Sequence, residues 1–200
     1  MSSSAPPTKI MIIRHGEKPP KKKGELPLDV QENGEPGNGK SLIVPGWQRA
    51  GALNAFFAPY KAKPADPHIH TPDFIYAASP NNESQRPWET VVPLAAWLDY
   101  TKEPQLNTSF SIGGGEGAMV QSVLGLSGHV LICWEHDNIM PNIMKAICDQ
   151  VPISNYSKIP NPFPDVFYLV WILDLEQKKS GNEYKWSWVN QNLMAGDVKS

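Results

Sequence analysis

Four consecutive apolar residues, Ile10 to Ile13, lead directly into Arg14 and His15, and Gly16 then interrupts the run. A strand whose apolar residues are continuous rather than alternating is typical of a sheet that is covered on both faces. Such a sheet needs helices on each side, which restricts the chain to the α/β folds. The segment therefore predicts a buried strand over residues 9–14.

The rest of the chain alternates between strand-like and helix-like segments. Further strands are predicted at residues 73–78, 129–134, 166–175 and 184–190, and helices from Pro45 and over residues 87–100, 116–126 and 138–148. Residues 178–182 form a turn between the last two strands, so these two strands are expected to pair antiparallel. Residues 16–45 show no periodicity and are predicted to be a long loop.

This order predicts an α/β fold, a three-layer αβα sandwich with a mostly parallel central sheet and an antiparallel C-terminal strand pair. At 200 residues the chain fits one domain, residues 1–200, with residues 1–8 as a flexible N-terminal tail. In such sheets ligands bind beyond the carboxyl ends of the strands.

Composition excludes several classes of protein. The formal net charge of -2 does not suit a nucleic-acid-binding protein, and the one dense basic run, Lys21 to Lys23, is predicted to be a solvated loop. No apolar run approaches the ~18 residues that a membrane span needs. The first residues lack the basic start and apolar stretch of a secretory signal. With Cys133 and Cys148 expected to be reduced, we predict a cytoplasmic protein that binds neither nucleic acid nor membrane.

Polar side chains that suit phosphoryl chemistry follow three of the predicted strands. The strands end in Arg14 and His15, in a polar turn that leads to Arg86, and in His136 with Asp137. Two guanidinium groups offer planar pairs of donors to phosphoryl oxygens. A neutral imidazole can attack phosphorus, and a second, protonated imidazole can stabilise the charge that develops on the oxygens.

Four segments resemble the histidine phosphatase superfamily, the phosphoglycerate mutase-like proteins, in the family's order. They are RHGEK at the first strand end, PGWQRAGAL in the helix that follows, SPNNESQRPWET with a longer gap before its arginine, and HVLICWEHDNI. The resemblance covers residues ~9 to 150 and implies the phosphoglycerate mutase-like fold. It also implies that His15 is the nucleophile, that Arg14 and Arg86 hold the phosphoryl group, and that His136 completes the pocket. Gly16 fits because a glycine lets backbone approach the phosphate.

The proton donor has more than one candidate. In one branch of the family it is a glutamate between the second arginine and the second histidine, a place that Glu116 fits. In the acid-phosphatase branch it is an aspartate directly after the second histidine, a place that Asp137 fits. Glu17 is a third candidate, and Glu17 and Lys18 either enter the substrate pocket or merely begin the loop.

These residues predict a phosphatase that hydrolyses phosphate monoesters through a phosphohistidine on His15. A phosphomutase would use the same intermediate, and a non-catalytic module that binds a phosphorylated ligand would keep the same pocket. The expected partner is a small phosphorylated substrate, with no cofactor. No metal site is predicted either, because His68-Ile69-His70 has no evident third ligand.

Overall fold

The structure is a computed structural model that describes residues 6–20, 27–80, 84–100 and 105–197. Its strands are β1 (Lys9–Arg14), β2 (Phe74–Ala77), β3 (Leu106–Asn107), β4 (His129–Trp134), β5 (Leu169–Lys178) and β6 (Gly181–Asn190). Its α-helices are α1 (Val44–Phe57), α2 (Arg86–Trp97), α3 (Glu116–Leu124), α4 (His136–Asn138) and α5 (Lys145–Gln150). A π-helix (Ile139–Met144) joins α4 to α5, and a 3-10 helix (Tyr156–Lys158) follows α5.

The strands form one sheet in the order β3-β2-β4-β1-β5-β6. β1 pairs parallel with β4, so that Arg14 lies opposite Trp134, and antiparallel with β5. β2 and β3 extend the parallel part, whereas β5 and β6 form the antiparallel pair at the C-terminal end. The predicted sheet, mostly parallel with an antiparallel C-terminal strand pair, is confirmed.

Both faces of β1 are buried, which explains its continuous apolar run. Ile10 and Ile12 belong to one core, together with side chains of α3 and α5, and Met11 and Ile13 belong to the other, together with side chains of α1 and α2. Each such side chain contributes about 1.5–3 kcal/mol when fully buried. The two cores separate three layers, as predicted, and hold the end of β1 in a fixed position.

Several elements differ from the prediction; for example, the helix predicted over residues 87–100 spans Arg86–Trp97, and the strand predicted over residues 184–190 begins at Gly181. The strand predicted over residues 166–175 begins at Leu169, because the residues before it leave the sheet and Phe167 packs against Arg14. The helix predicted over residues 138–148 begins at His136 and includes the π-helix. β3 was not predicted, since its two residues are too few to show a pattern.

The loop predicted over residues 16–45 is organised around one buried carboxylate. Asp29 is 4% exposed, and its Oδ2 accepts the backbone N–H groups of Gly39 at 2.8 Å and Ser41 at 2.9 Å. A Cβ atom on Gly37 would lie 2.2 Å from the carboxylate carbon of Asp29, so only glycine fits there. Residues 21–26, which include the predicted solvated run of lysines, lie outside the described residues.

Part of the predicted N-terminal tail is packed. The Tyr184 hydroxyl donates to the Pro7 carbonyl at 2.8 Å, and the Thr8 hydroxyl donates to the Gly128 carbonyl at 3.0 Å. The Thr8 carbonyl also accepts the backbone N–H of Leu175, which extends the β1–β5 pairing. The flexible tail was therefore predicted too long, and residues 1–5 lie outside the described residues.

The structure also locates the two cysteines of the chain. Cys133, buried in β4, and Cys148, in α5, are both free thiols. Burial raises the pKa of Cys133, which keeps its thiol protonated. Within the described ranges no helix has both the length and the apolar composition to cross a bilayer.

Arg49 of α1 joins the exit of β1 to the C-terminal segment. Its guanidinium donates to Glu17, Gln191 and Asp197, and its side chain is 2% exposed. Burial acts to lower the pKa of Arg49, but the hydrogen bonds and charges of Asp197 and Glu17 outweigh it and raise that pKa. The pKa of Asp197 is lowered in turn, because Arg49 and two backbone N–H groups outweigh the effect of burial.

Replacing Arg49 by methionine would leave the carboxylates of Glu17 and Asp197 without their cation. Removing one partner of a buried ion pair costs about 3–5 kcal/mol, so we expect the free energy of unfolding to fall by about 3 kcal/mol or more. Urea denaturation at pH 7 measures this change. Lys145→Met, which breaks only an exposed pair with Asp149, is the matched control and should change little.

The ion pair between Arg49 and Asp197 also makes the free energy of unfolding depend on pH in a defined direction. Since the pKa of folded Asp197 lies below its ordinary 3.8, its contribution is present above pH 3.8 and disappears as the pH falls through the folded pKa. The stability difference between wild type and Arg49→Met should therefore narrow below about pH 4. A difference that stays constant down to pH 2 would contradict this assignment.

Candidate active site

His15 directly follows the last residue of β1. Its backbone N–H donates to the Trp134 carbonyl at 3.1 Å, which continues the pairing of β1 with β4 by one residue. Its ring Nδ1 lies 2.7 Å from the Gly16 carbonyl oxygen. A carbonyl only accepts, so Nδ1 carries the hydrogen. Nε2 therefore keeps its lone pair, which is the form that a nucleophilic imidazole requires.

The surroundings of His15 keep its ring neutral. The residue is 2% exposed, and burial, followed by the charges of Arg14, Arg86 and Lys18, holds its pKa well below the ordinary 6.5. The hydrogen bond to Gly16 opposes this shift without outweighing it. The imidazole is thus unprotonated at neutral pH, although it lies among cations.

Arg14 is buried with two donor atoms unused. Its Nη1 donates to Asp165 Oδ1 at 2.5 Å, and its guanidinium carbon lies 4.1 Å from the ring centroid of Phe167. Nε and Nη2 are buried and have no hydrogen-bond partner among the residues that the structure describes. Burial lowers the pKa of Arg14. Because unpaired buried donors are costly, a ligand with several acceptor oxygens would stabilise this side chain.

Arg86, the first residue of α2, is held by the loop that Asp29 organises. Its Nε donates to the Ser41 carbonyl at 3.1 Å, and its Nη2 donates to the Gly39 carbonyl. Burial lowers its pKa as well. One turn later, the Thr90 hydroxyl accepts the Gly16 N–H at 2.8 Å and donates to the Arg86 carbonyl at 2.7 Å. Thr90 therefore connects the first residue of α2 to the exit of β1.

His136 and Asp137 follow β4 and lie at the same edge of the sheet. Asp137 Oδ1 is 3.2 Å from His136 Nε2, and its side chain is 70% exposed. Within the described part of the chain, Nδ1 of His136 is buried without a hydrogen-bond partner. Burial, and then the charge of Arg14, lowers the pKa of His136, while Asp137 acts to raise it. A bound anion would reverse part of this shift and favour the protonated ring.

The two residues after Gly16 have different surroundings. Lys18 joins the cation cluster, since burial and the charges of Arg14 and Arg86 lower its pKa. Glu17 instead binds Arg49, whose guanidinium donates to both carboxylate oxygens of Glu17 at 2.6 to 3.2 Å. The nearby charges thus favour the pocket for Lys18, and the contacts with Arg49 favour the loop for Glu17.

Glu116 is buried at the first residue of α3, and N–H groups around it bind its carboxylate. Its Oε1 accepts the Gly113 N–H and the Trp134 indole N–H, and its Oε2 accepts the Gly114 N–H, at 2.8 to 3.1 Å. An acid that protonates a leaving group must point an oxygen at the substrate, whereas both oxygens here point at N–H donors. The proton-donor role of Glu116 stays a prediction, and the geometry favours Asp137.

Gly16 serves close packing rather than contact with a ligand. Its N–H is bound by Thr90 and its carbonyl by His15, so neither group is free for a phosphate. A Cβ atom on Gly16 would lie 3.1 Å from the Gly46 carbonyl oxygen, and one on Gly46 would lie 2.6 Å from the Glu17 carbonyl oxygen. The paired glycines let the start of α1 approach the exit of β1.

Sequence reasoning missed Asp165 and Phe167. Both precede β5, and only the carboxyl ends of strands were considered. Because β5 runs antiparallel to β1, with Val170 opposite Ile13, the start of β5 lies beside the end of β1. The prediction paired β5 antiparallel with β6 and said nothing of its direction relative to β1, so no signal in the sequence marked these two residues.

The tautomer and pKa of His15 can be checked by nuclear magnetic resonance. We expect the ring nitrogen shifts to report the neutral form with hydrogen on Nδ1 as the pH is lowered through 6.5, because burial and three cations disfavour protonation. Assignment by comparison with His15→Gln identifies the signal. Protonation at or above pH 6.5, or hydrogen on Nε2, would contradict the geometry.

One solved structure that resembles the chain is described as that of the "putative phosphohistidine phosphatase SixA" from Agrobacterium tumefaciens. The match has a TM-score of 0.50 and 14% sequence identity, and it covers 92% of this chain and 97% of that one. No family model and no curated protein matches the chain. At this identity the likeness is one of fold. The chain therefore has the phosphoglycerate mutase-like fold that its sequence resemblance predicted.

Proposed function

We propose that the protein is a phosphatase that hydrolyses phosphate monoesters through a phosphohistidine on His15. The observation that carries the proposal is the neutral His15 ring with a free Nε2, surrounded by Arg14, Lys18 and Arg86. Cations next to a neutral nucleophile suit an electrophile that is itself an anion. A phosphoryl group is such an electrophile.

In the first half-reaction, His15 Nε2 attacks phosphorus in line with the leaving oxygen. The P–N bond forms as the P–O bond to the leaving group breaks, and the leaving oxygen takes a proton from an acid. The imidazole becomes positively charged while it holds the phosphoryl group, and its Nδ1–H bond to the Gly16 carbonyl stabilises that charge. In the second half-reaction, water attacks phosphorus, the P–N bond breaks, and the acid recovers its proton.

The cations bind the phosphoryl oxygens throughout both steps. Arg14 offers two buried donors without other partners, and Lys18 adds a charge. Arg86 uses Nε and Nη2 to hold its position against the loop. The oxygens gain charge in the transition state, so these groups act there with most effect. Asp137, 70% exposed and beside His136, is the favoured proton donor.

Hydrolysis of p-nitrophenyl phosphate by wild type and His15→Ala tests the proposal. We expect turnover by wild type and a loss of at least about 10³-fold in kcat/KM in the variant, because it lacks the imidazole that is proposed to form the covalent intermediate. His68→Ala, at an exposed loop position, is the matched control and should retain activity. Alkaline quenching during turnover should trap a phosphorylated peptide that contains His15.

Other outcomes separate the alternatives. Turnover that survives in His15→Ala would contradict the proposal. Phosphate binding by wild type without turnover of any ester would contradict it in favour of a binding module. In ¹⁸O-labelled water the phosphatase should release labelled inorganic phosphate, whereas a mutase would transfer the phosphoryl group to a second hydroxyl without labelling it.

A further inference from the structure

Asp165 contacts two side chains of the proposed phosphoryl site, Arg14 and His136. Its Oδ1 lies 2.5 Å from Arg14 Nη1 and 3.8 Å from His136 Nε2. A single carboxylate oxygen therefore lies between a guanidinium and an imidazole, as an oxygen of a bound phosphoryl group would. The free site thus contains an anionic group supplied by its own chain.

The contact between Asp165 and Arg14 can be broken without unpacking the core. The Asp165 side chain is 80% exposed, and it lies between the 3-10 helix and β5 rather than within either. Phe167 covers Arg14 independently at 4.1 Å. An ion pair with one partner in solvent is weak. A phosphoryl dianion, with two charges and several oxygens, offers Arg14 acceptors for its unpaired Nε and Nη2 as well.

Displacement leaves the carboxylate close to the leaving group. Asp165 approaches Arg14 from the solvent side, and Asp137, also exposed, lies 3.2 Å from His136. Once a phosphoryl group has taken up the charge of Arg14, Asp165 has lost its closest counter-ion, because the His136 ring lies farther away, at 3.8 Å. A neutral or anionic leaving group would leave the place of Arg14 unfilled, whereas an ammonium on the leaving group would replace Arg14 as the partner of Asp165.

We propose that Asp165 determines substrate specificity: it occupies the place of a phosphoryl oxygen in the free site, substrate displaces it, and it then favours phosphate monoesters whose leaving group carries a positive charge. This inference rests on the proposed function, because it takes the cluster around His15 as the phosphoryl site. It adds to that function the charge of the preferred leaving group and the residue that selects for it.

Equilibrium binding in a His15→Ala background tests the inference without any need for turnover. The ligands are phosphocholine and 3,3-dimethylbutyl phosphate, which share their shape and differ by one positive charge, together with inorganic phosphate. We expect His15→Ala to bind phosphocholine about tenfold more tightly than its neutral analogue, as a close partly solvated charge pair would allow. Isothermal titration calorimetry measures all three dissociation constants.

Adding Asp165→Asn should strengthen the binding of inorganic phosphate and reduce the preference for phosphocholine over its neutral analogue. Inorganic phosphate should bind about 3- to 10-fold more tightly, because it no longer competes with a carboxylate for Arg14. The preference for phosphocholine should fall to less than about twofold. Asp149→Asn in the same background is the matched control, since Asp149 is also an exposed aspartate but pairs with Lys145 outside the proposed site. It should retain most of the preference.

Each contrary result would overturn a different part of the proposal for Asp165. Equal binding of the two esters, or a preference that survives Asp165→Asn, would overturn the specificity role. Phosphate that binds no more tightly to Asp165→Asn would overturn the displacement. Either result would leave the proposed function standing if wild type hydrolyses p-nitrophenyl phosphate. Failure of all three ligands to bind, with circular dichroism showing a folded protein, would overturn this inference and the phosphoryl site together.

Discussion

The structure depends most on one arrangement, a neutral imidazole held among cations where β1 ends. Arg14, Lys18 and Arg86 all act to lower the pKa of His15 or of one another. Like charges at a poorly solvated site repel, so the arrangement persists only because neighbouring groups supply acceptors. The Gly39 and Ser41 carbonyls bind Arg86, and Asp165 and Phe167 contact Arg14. A dianion would relieve the remaining repulsion among these cations, so the proposed phosphoryl ligand would stabilise the arrangement.

The scaffold maintains this arrangement through contacts on both sides of the sheet. Burial of β1 between two cores fixes the strand, and the approach of Gly46 to Glu17 fixes the direction in which the chain leaves it. The Gly16 N–H bond to Thr90 joins that exit to α2 and thereby to Arg86. Arg49 of α1 pairs with Glu17 and Asp197, and it thereby joins the exit of β1 to the C-terminal segment. Several of these residues lie within the segments that resemble the superfamily, so the resemblance reflects packing as well as chemistry.

Sequence reasoning predicted the sheet better than the surroundings of the site. The strands at residues 9–14 and 129–134 have the predicted bounds, because continuous burial leaves a continuous apolar run. The orientations of Glu17 and Glu116 could not be read from the sequence, since they depend on Arg49, distant in the chain, and on the turn at residues 113–116. Asp165 could not be predicted, because it lies 151 residues from Arg14 in the chain and belongs to no recognisable motif.

A crystal structure of the protein with orthovanadate would test the central claim most directly. Vanadate adopts the five-coordinate geometry of a phosphoryl group in transfer. We expect vanadium bonded to His15 Nε2, equatorial oxygens bound by Arg14 and Arg86, and His136 within hydrogen-bond distance, with Asp165 displaced from Arg14. Vanadate bound elsewhere, or bound through Nδ1 of His15 with Arg14 still paired to Asp165, would contradict it.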